Sequence, residues 1–465
     1  MSSLSLRDER SDALDHGLML VREAWRSFDA PRPGQPEVSH ETLGLLDDSL
    51  PEEGVGVRAA LDDAAHVLDE SLAQTRPRYF GYVGSSGLES AVLADAMAAS
   101  HDVNLAAESA AAQLVEQQAL AWVAQFIGFP AGGGTFTSGG MLSNLTALMA
   151  ARTRAFPQAR IEGMAHLRGA VYVSVDAHSS VERAVEVLGM GRSSMRAVPM
   201  DDRRRMDASA LAEAIDRDRA AGIVPVAVVA TAGTTLTGAV DPIERIADVA
   251  GETWLHVDGA YGGPAAGTDI ARHLYAGIDR ADSMSIDAHK WLFVPKACGV
   301  LLVRDPSTLQ QAFRHEASYM IEEEGFTHPV DGTMEYSRPF RSLKLWTAIR
   351  AHGAKAFRDA ITRDIELARE LANLVSREDT MELMVGEPEL STVPFRRIPT
   401  SGDVDAHNMK LARALQADGR VFVTSAVIDG RACLRPCIVN FRTTREDIAA
   451  LVSITEQVGQ QLERG

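Results

Sequence analysis

The N-terminal part of the chain alternates between helical patterns and breaks. Apolar residues recur at helical spacing in SDALDHGLMLVREAWRSF and again in VRAALDDAAHVLDESLA, which predicts two amphipathic helices. The segment DAPRPGQPE, with three prolines, separates them. Side chains that suggest chemistry are scarce in this region. We therefore expect residues 1–76 to form a helical N-terminal segment that serves as an appendage or a dimerisation arm.

The pattern changes after about residue 87. An alanine-rich stretch predicts a long helix that runs to AWVAQFIGF, and short, almost wholly apolar segments follow at 170–175, 224–231, 254–258 and 299–305. Helical patterns separate several of these segments. Continuously apolar strands that alternate with helices are typical of a parallel sheet covered on both faces. The sequence thus predicts an α/β fold with a mainly parallel central sheet, in a large domain over 77–346.

The C-terminal part has a different order of elements. After RSLKLWTAIRAHG a long helical pattern continues through ITRDIELARELANLVS. Three strand-like segments follow, STVPFRRIP, RVFVTSAVI and ACLRPCIVNFR, and the last helix is predicted at REDIAALVSITEQVGQQL. This order predicts a small α+β domain over 347–465.

Composition and charge narrow the class of protein. The chain has 465 residues, 46% of them hydrophobic, which is ample for a large core. A net charge of −18 repels nucleic-acid phosphates and anionic lipid, so neither is expected as a partner. The N-terminus lacks the apolar segment of a signal peptide, and the three cysteines suggest reduced thiols in a cytoplasmic protein. Cys433 and Cys437 lack the second pair or nearby histidine that would favour a metal site.

Ligands of parallel α/β sheets bind at the carboxyl ends of the strands, so the polar residues there are the candidates for a functional site. In GGGTFTSGG, Gly139 and Gly140 precede a predicted helix, whose free amides would favour an anion. The alternative is an ordinary turn capped by Ser143 or Asn144. The segment has neither the lysine of a P-loop nor the G-x-G-x-x-G spacing, so no nucleotide motif is supported.

Three further residues follow predicted strands. His178, in VSVDAHSSVERA, can stack on a planar ligand, although a lone histidine is more often structural. Asp258 ends the segment WLHVD and needs a partner if it is buried: a cationic ligand, a helix terminus or an arginine. Lys290 precedes the apolar WLFVP, where burial would favour the neutral amine that attacks carbonyls. The alternative for Lys290 is an ammonium that reaches water.

Together these four features match one cofactor group by group. The helix N-terminus suits a phosphate, His178 a flat ring, Asp258 a protonated ring nitrogen and Lys290 an aldehyde. Pyridoxal phosphate carries all four. The sequence therefore predicts a pyridoxal-phosphate enzyme.

The chain resembles the group II pyridoxal-phosphate-dependent decarboxylases, the family of aromatic-L-amino-acid, histidine and glutamate decarboxylases. The resemblance spans about residues 76 to 455 and rests on DAHKW, AHSSVERA, ATAGTT, HVDGAYGG, FRSLKLW and LRPCIVN. AHSSVERA and FRSLKLW are most similar to the aromatic-amino-acid branch. The resemblance implies the fold type I of pyridoxal-phosphate-dependent transferases and a homodimer with the active site at its interface.

The resemblance also implies residue roles. Lys290 would form the Schiff base, with His178 on one face of the ring, Ala260 on the other and Asp258 at the ring nitrogen. Residues implied at the phosphate, the cofactor oxygen or the lysine are Gly140, Met141, Thr231, Ser283, Asp287 and His289. Residues implied at the substrate are Tyr82, Ser85 and Arg435. Arg435 would hold the substrate carboxylate, with a structural ion pair as the alternative. No metal is expected.

The segment between Lys290 and FRSLKLW departs from the family. Family members carry a loop tyrosine that reprotonates the substrate carbon, whereas the matching region here has Phe326, Thr327 and His328. Tyr319 matches an earlier family tyrosine. His328, Tyr336 or a residue of a partner chain would have to supply the proton. Relatives with phenylalanine in place of this tyrosine are similar to aldehyde synthases.

We therefore predict decarboxylation of an L-amino acid, through a Schiff base and a quinonoid intermediate. An aromatic or other neutral side chain is preferred, because no second basic residue beside Tyr82 and Ser85 suggests an acidic substrate. The alternatives are oxidative conversion to an aldehyde, another fold-type-I reaction such as transamination, and a non-catalytic scaffold. Retention of Lys290, His178 and Asp258 argues against the scaffold.

Overall fold

The computed structural model describes residues 5–32, 34–47, 49–106, 109–315 and 328–464. The N-terminal part contains three α-helices, α1 (Arg10–Phe28), α2 (His40–Asp47) and α3 (Val57–Asp69). The helices α1 and α3 lie where the sequence pattern predicted helices, whereas α2 was not predicted. The alanine-rich stretch forms two helices, α4 (Glu89–His101) and α5 (Ala111–Ile127), rather than the single one expected. Asp102 adopts a left-handed conformation that ends α4.

A seven-stranded sheet is formed by strands between residues 133 and 303. Its strands are β1 (Gly133–Thr137), β2 (Gly169–Ser174), β3 (Met195–Val198), β4 (Val224–Thr231), β5 (Trp254–Asp258), β6 (Ser283–Asp287) and β7 (Gly299–Val303). The spatial order is β1-β7-β6-β5-β4-β2-β3, and β7 is the one strand of this sheet that runs antiparallel to its neighbours. The mainly parallel sheet is therefore confirmed, with a reversed strand that the apolar pattern did not reveal.

Helices cover the sheet on both faces. These are α6 (Gly140–Ala155), α7 (Ala159–Glu162), α8 (Ser179–Val187), α9 (Ala208–Ala220), α10 (Ile243–Ala250), α11 (Ala288–Trp291) and α12 (Ser307–Phe313). Short 3-10 turns lie at Arg7–Glu9, Arg192–Ser194, Gly263–Gly267, Arg272–Tyr275, Ile278–Arg280 and Pro329–Gly332. Two separate hydrophobic clusters, one on each face, bury β5 completely and β4 from Val226 onward, which explains the continuous apolar segments of these strands.

One edge of the sheet collects the residues of interest. Asp287 at the end of β6 pairs with Gly299 at the start of β7, and Gly299 pairs in turn with Thr137 at the end of β1. The carboxyl ends of β1, β4, β5 and β6 therefore share one edge, and α6 and α11 begin there. This is the edge at which open α/β sheets bind ligands.

A second sheet lies in the C-terminal part. Its strands are β8 (Met381–Leu383), β9 (Phe395–Arg397), β10 (Ser425–Ile428) and β11 (Arg431–Leu434), in the order β10-β11-β9-β8, and all are antiparallel. The helices α13 (Ser342–Val375), α14 (Val404–Asp418) and α15 (Arg445–Arg464) accompany it. The helix α13 kinks at Gly353, which has a φ of 73°.

Two further features concern the cysteines and the apolarity of the helices. All three cysteines are buried free thiols. Across the described ranges, no helix combines the length and the apolarity that crossing a bilayer requires.

Candidate active site

The N-terminus of α6 forms a narrow backbone cradle. A Cβ atom added to Gly140 would lie 3.0 Å from Cβ of Ala260 and 3.1 Å from Oδ2 of Asp287. One added to Gly139 would lie 3.2 Å from Cε1 of His289. A side chain at either position would force these neighbours to shift, and the first amides of a helix have no acceptor within it. The amides of Gly140 and Met141 are therefore placed to bind an anion.

Lys290 lies on the short helix α11, directly beyond β6. Its Nζ atom is 2.9 Å from Oδ2 of Asp287, and its side chain is 23% exposed. The sequence predicted apolar surroundings for this amine, and the structure corrects this: WLFVP packs into the core, whereas the amine itself contacts a carboxylate. Oδ1 of Asp287 is buried and has no hydrogen-bond partner among the described residues.

His289 points from the same turn toward this edge of the sheet. Its Nδ1 lies 3.2 Å from the amide nitrogen and 3.1 Å from the carbonyl oxygen of Cys298, and its Nε2 is 3.8 Å from Oδ2 of Asp287. Burial lowers the pKa of His289, and Asp287 opposes that shift. Burial therefore favours the neutral form of this ring.

Asp258 ends β5 and is buried with a full set of donors. Oδ2 accepts a hydrogen bond from Nδ2 of Asn144 at 2.8 Å. Oδ1 accepts from the hydroxyl of Ser285 and from the amide of Ala260, each at 3.1 Å. Three donors stabilise the ionised form of a buried carboxylate. No arginine or lysine lies within ion-pair distance of Asp258 in the described part of the chain.

His178 caps the N-terminus of α8. Its Nδ1 accepts a hydrogen bond from the amide of Ser180 at 3.2 Å, so the proton of the neutral ring lies on Nε2. Burial lowers the pKa of His178, and the charge of Asp258 opposes this. The residue is nevertheless exposed to solvent. A neutral imidazole that is fixed at one nitrogen and exposed to solvent is suited to stacking on a flat ligand.

Thr231 ends β4 beside these groups. Its amide donates to Oδ2 of Asp241 at 2.7 Å, whereas its hydroxyl is buried without a hydrogen-bond partner in the described part of the chain. The unpartnered oxygens of Thr231 and Asp287, the glycine cradle, the neutral His178 and the carboxylate of Asp258 lie around one edge of the sheet. This set fits the donors, acceptors and flat ring of pyridoxal phosphate.

Arg435 brings a positive charge from the small domain. Its guanidinium donates to the carbonyl of Thr235 at 3.2 Å and to the hydroxyl of Thr424 at 3.3 Å, and the residue is buried. Within the described ranges no carboxylate lies within ion-pair distance of it, so the structural ion pair considered as an alternative is not observed. A buried cation without a counter-charge favours an anionic ligand.

The segment with Tyr82 and Ser85 lies beside the strands of the small domain. The hydroxyl of Ser85 donates to the carbonyl of Val294 at 3.3 Å, which ties this segment to the chain after Lys290. The exposed Tyr82 ring is 6.4 Å from that of Phe422, which stacks on Tyr79 at 4.8 Å. Tyr82 thus belongs to an aromatic group at the surface.

Ser283 does not lie at the phosphate site that the resemblance implies for it. It begins β6, and four residues of a strand span about 13 Å, so it lies at the edge opposite Asp287 and Lys290. Its hydroxyl accepts a hydrogen bond from Nε1 of Trp254 at 2.9 Å and lies 2.8 Å from Nδ1 of His256. The residue is fully buried by these partners. Ser283 is therefore not placed to contact the phosphate.

The departure in the loop falls mostly outside the described residues, which do not include Tyr319, Phe326 and Thr327. His328 is described and lines one cavity with Gly133 and Pro306. Gly133 begins β1, so this cavity lies at the edge of the sheet opposite Lys290. Tyr336 is half-exposed in the segment that leads to α13. His328 is therefore not beside Lys290 of its own chain.

Sequence reasoning missed several polar residues of this site. Asn144 was considered only as a helix cap, and His256 and Ser285 were not considered. The alternation of polar and apolar residues along β5 and β6 is the signal that would have found the last two. Lys296 was also missed: its Nζ donates to Oε1 of Gln74 at 2.7 Å. Burial lowers the pKa of Lys296, and repulsion by Lys290 adds to the shift.

Comparisons with known proteins agree with this chemistry. The family model described as "Pyridoxal-dependent decarboxylase conserved domain" matches residues 36–398. An aromatic-L-amino-acid decarboxylase of Bacillus atrophaeus is 32% identical over 90% of this chain and 88% of the relative. An L-2,4-diaminobutyrate decarboxylase of Rhizobium meliloti (strain 1021) is 33% identical over 90% of this chain and 86% of the relative. The crystal structure of Oryza sativa TDC with PLP and tryptamine aligns over 100% of both chains, with a TM-score of 0.92 and 27% identity.

Proposed function

Because this chain belongs to the pyridoxal-dependent decarboxylase family, it is a pyridoxal-phosphate-dependent carboxy-lyase of amino acids, and we propose an L-amino acid with an aromatic or other neutral side chain as its substrate. The resemblance seen in the sequence motifs is thereby confirmed at the level of family, fold and cofactor. Bound pyridoxal phosphate accepts the electron pair that the departing carboxylate leaves behind.

The residues around the cradle hold and orient the cofactor in this proposal. Lys290 would hold the cofactor through its aldehyde carbon and would yield that position to the substrate amine. The amides of Gly140 and Met141, with the imidazole of His289, would bind the phosphate. His178 and Ala260 would contact the two faces of the ring. Support comes from the close approach of Gly140 to Ala260 and from the neutral state of both histidines.

Two buried charged residues, Asp258 and Arg435, have the remaining roles in this proposal. Asp258 keeps the ring nitrogen protonated, because its carboxylate has three donors but no cationic side chain within ion-pair distance in the described ranges. Arg435 binds the α-carboxylate of the substrate before it leaves. The observation that carries this proposal is the buried Arg435 without a counter-charge, near the aromatic group of Tyr79, Tyr82 and Phe422.

A second candidate is a substrate with an anionic side chain. Lys296 favours it, because it lies two residues after Val294, whose carbonyl accepts a hydrogen bond from Ser85, and because it interacts electrostatically with Lys290. Only five of the 46 basic residues of the chain are lysines, and two of the five are Lys290 and Lys296. A second cation near Lys290 is what a second carboxylate or a sulfinate would require.

The substrate screen separates these candidates. The holoenzyme is incubated with each common amino acid and with cysteine sulfinate, and carbon dioxide, amine and peroxide are all measured. A neutral substrate predicts that Lys296→Met changes kcat/KM by less than about twofold, as does the control Lys355→Met on the exposed face of α13. An anionic substrate predicts a loss of tenfold or more, about 1.4 kcal/mol, for Lys296→Met alone. If no amino acid releases carbon dioxide, the proposed substrate class is refuted.

The same screen determines the product. We propose the amine as the product, with the aldehyde as the alternative because the family tyrosine of the loop is not evident. Amine in step with carbon dioxide supports simple decarboxylation. Peroxide in step with carbon dioxide would instead support oxidative conversion to an aldehyde.

We also propose that the protein is a homodimer with the active site at the interface. The N-terminal helices leave apolar side chains exposed, including Leu14, Leu46 and Leu68, which is typical of a surface covered by a partner. The triple change of these leucines to aspartate should convert a dimer into a monomer in sedimentation equilibrium. Ile161→Asp, at an exposed site elsewhere, is the matched control. A monomeric unmodified protein would contradict the proposal.

A further inference from the structure

A row of buried polar side chains leads through the sheet to Asp258. Trp254, His256 and Asp258 alternate along β5 and therefore share one face. His256 pairs in register with Ser283 on β6, and the helix α6 supplies Asn144 above the same face. All five residues are at most 6% exposed. This row extends from one edge of the sheet to the other.

Neighbouring members of the row are joined by hydrogen bonds. Nε1 of Trp254 donates to the hydroxyl of Ser283 at 2.9 Å, and this hydroxyl is 2.8 Å from Nδ1 of His256. Nε2 of His256 is 2.9 Å from Oδ1 of Asn144. Nδ2 of Asn144 donates to Oδ2 of Asp258 at 2.8 Å. The contacts form one continuous chain that ends on the carboxylate.

The direction of every bond in this chain follows from its two ends. The carboxylate of Asp258 accepts only, so the amide nitrogen of Asn144 faces it and the amide oxygen faces His256. Nε2 of His256 must then carry a proton, which leaves Nδ1 of the neutral ring to accept from Ser283. The indole of Trp254 donates only, so it donates to Ser283. Every donor therefore points toward Asp258.

His256, the histidine of this hydrogen-bond chain, is neutral. Burial lowers the pKa of His256 to about 4, and the charge of Asp258 and the bond to Ser283 oppose the shift only in part. The other charged groups that act on this side of the site are Asp287, Lys290 and Arg183, which influence His178. A neutral His256 has one donor and one acceptor, which is what the chain needs at that position.

We propose that His256, Asn144 and Ser283 are positioning residues that lock the carboxylate of Asp258 against the ring nitrogen of pyridoxal phosphate. His256 holds the amide of Asn144 in one orientation, because rotation of that amide would place its oxygen against the carboxylate. The aligned donors polarise one another and stabilise the ionised form of Asp258. The inference rests on the proposed role of Asp258.

The test uses holoenzyme with cofactor labelled by ¹⁵N at its ring nitrogen. The variants Asn144→Leu, His256→Phe and Ser283→Ala interrupt the chain at increasing distance from Asp258. Val257→Ala is the control, because Val257 is fully buried on the same strand but faces away. The pH at which the ring nitrogen loses its proton is followed by NMR, and the dissociation constant of pyridoxal phosphate is measured with the apoenzyme.

We expect a graded result. Asn144→Leu and His256→Phe should lower the midpoint of ring-nitrogen deprotonation by about one pH unit and weaken cofactor binding about tenfold, as the loss of outer partners does at metal sites. Ser283→Ala should act in the same direction but less. Trp254→Phe, which removes one donor and keeps an aromatic ring, provides a milder variant if His256→Phe does not fold.

Two outcomes would overturn the inference, and they are distinguishable from failure of the proposed function. The midpoint of ring-nitrogen deprotonation could equal that of wild type in all four variants of the hydrogen-bond chain and be shifted in Asp258→Ala alone. That result would leave the role of Asp258 intact and refute the role of the hydrogen-bond chain. An unshifted Asp258→Ala would refute the role of Asp258 itself. If Val257→Ala lowered the midpoint and weakened cofactor binding as much as the variants of the hydrogen-bond chain do, packing and not the hydrogen bonds would be responsible.

Discussion

Asp364 is a fully buried carboxylate that anchors the residue after Lys290. It lies on α13, and its Oδ2 accepts a hydrogen bond from Nε1 of Trp291 at 2.9 Å. Its Oδ1 has no hydrogen-bond partner among the described residues. Burial raises the pKa of Asp364 to about 7, and the Trp291 bond and the charge of Arg363 offset this only in part. We predict that Asp364 makes the stability of the fold depend on pH.

The sign follows from the direction of the shift. The folded state holds the proton of Asp364 more tightly than the unfolded chain, so stability falls as pH rises from about 4 to about 7 and then levels off. Each pH unit in this window costs about 1.4 kcal/mol, which gives about 4 kcal/mol in total. Between about pH 5.5 and about pH 8 the cost grows by about 2 kcal/mol.

The substitution Asp364→Asn removes this titration and keeps an acceptor for Trp291. The free energy of unfolding of the variant, minus that of wild type, should therefore be larger by about 2 kcal/mol at about pH 8 than at about pH 5.5, so the variant is relatively more stable at the higher pH. Urea unfolding with saturating cofactor measures both values. Asp359→Asn is the control, because this side chain is 60% exposed on the same helix. A difference between variant and wild type that is the same at both pH values refutes the argument.

Three further predictions concern single positions. Lys290→Ala should reduce decarboxylation by at least about a thousandfold with an unchanged circular dichroism spectrum, and turnover that survives would remove Lys290 from its role. Gly140→Ala should weaken cofactor binding about tenfold in a fluorescence titration, because the added methyl would lie 3.0 Å from Cβ of Ala260; wild-type affinity would refute the cradle. Glu116→Gln should lower the free energy of unfolding by about 3 kcal/mol, because it leaves the buried Arg338 without its partner; a loss below about 0.5 kcal/mol would show that the pair behaves as a surface pair.

The fold was predictable where burial is continuous and not where a strand is polar or glycine-rich. The segments at β4 and β5 were recognised at their observed bounds because both faces of these strands are covered. The strand β1 was interpreted as part of a glycine-rich turn, since Gly133 and Gly134 lack the side chains that mark a strand. The reversed direction of β7 has no signature in its composition. It follows from the short connection after Trp291, which is too short for a crossover helix.

The site was predictable where a residue ends or follows a strand and not where it lies in the interior of one. His178 and Lys290 lie in loops or short helices at the carboxyl edge, and the structure places both there. The roles at the substrate remain predictions, because they depend on a ligand and on a partner chain. Asn144 was overlooked because a polar residue in a helix has many structural explanations, and only the tertiary contact with Asp258 selects one of them.

The error at Ser283 and the omission of His256 have the same cause, and counting along the strands corrects both. SMSID alternates polar and apolar residues, as WLHVD does, so Ser283, Ser285 and Asp287 share one face of β6 while Trp254, His256 and Asp258 share one face of β5. Only the last member of each row reaches the carboxyl edge, where a ligand binds. The inner members must find partners within the protein, because a polar group buried away from the ligand is costly when it is unpaired. Since the two rows are paired in register, those partners are one another, and the polar face of the two strands becomes the support of the carboxylate at its end.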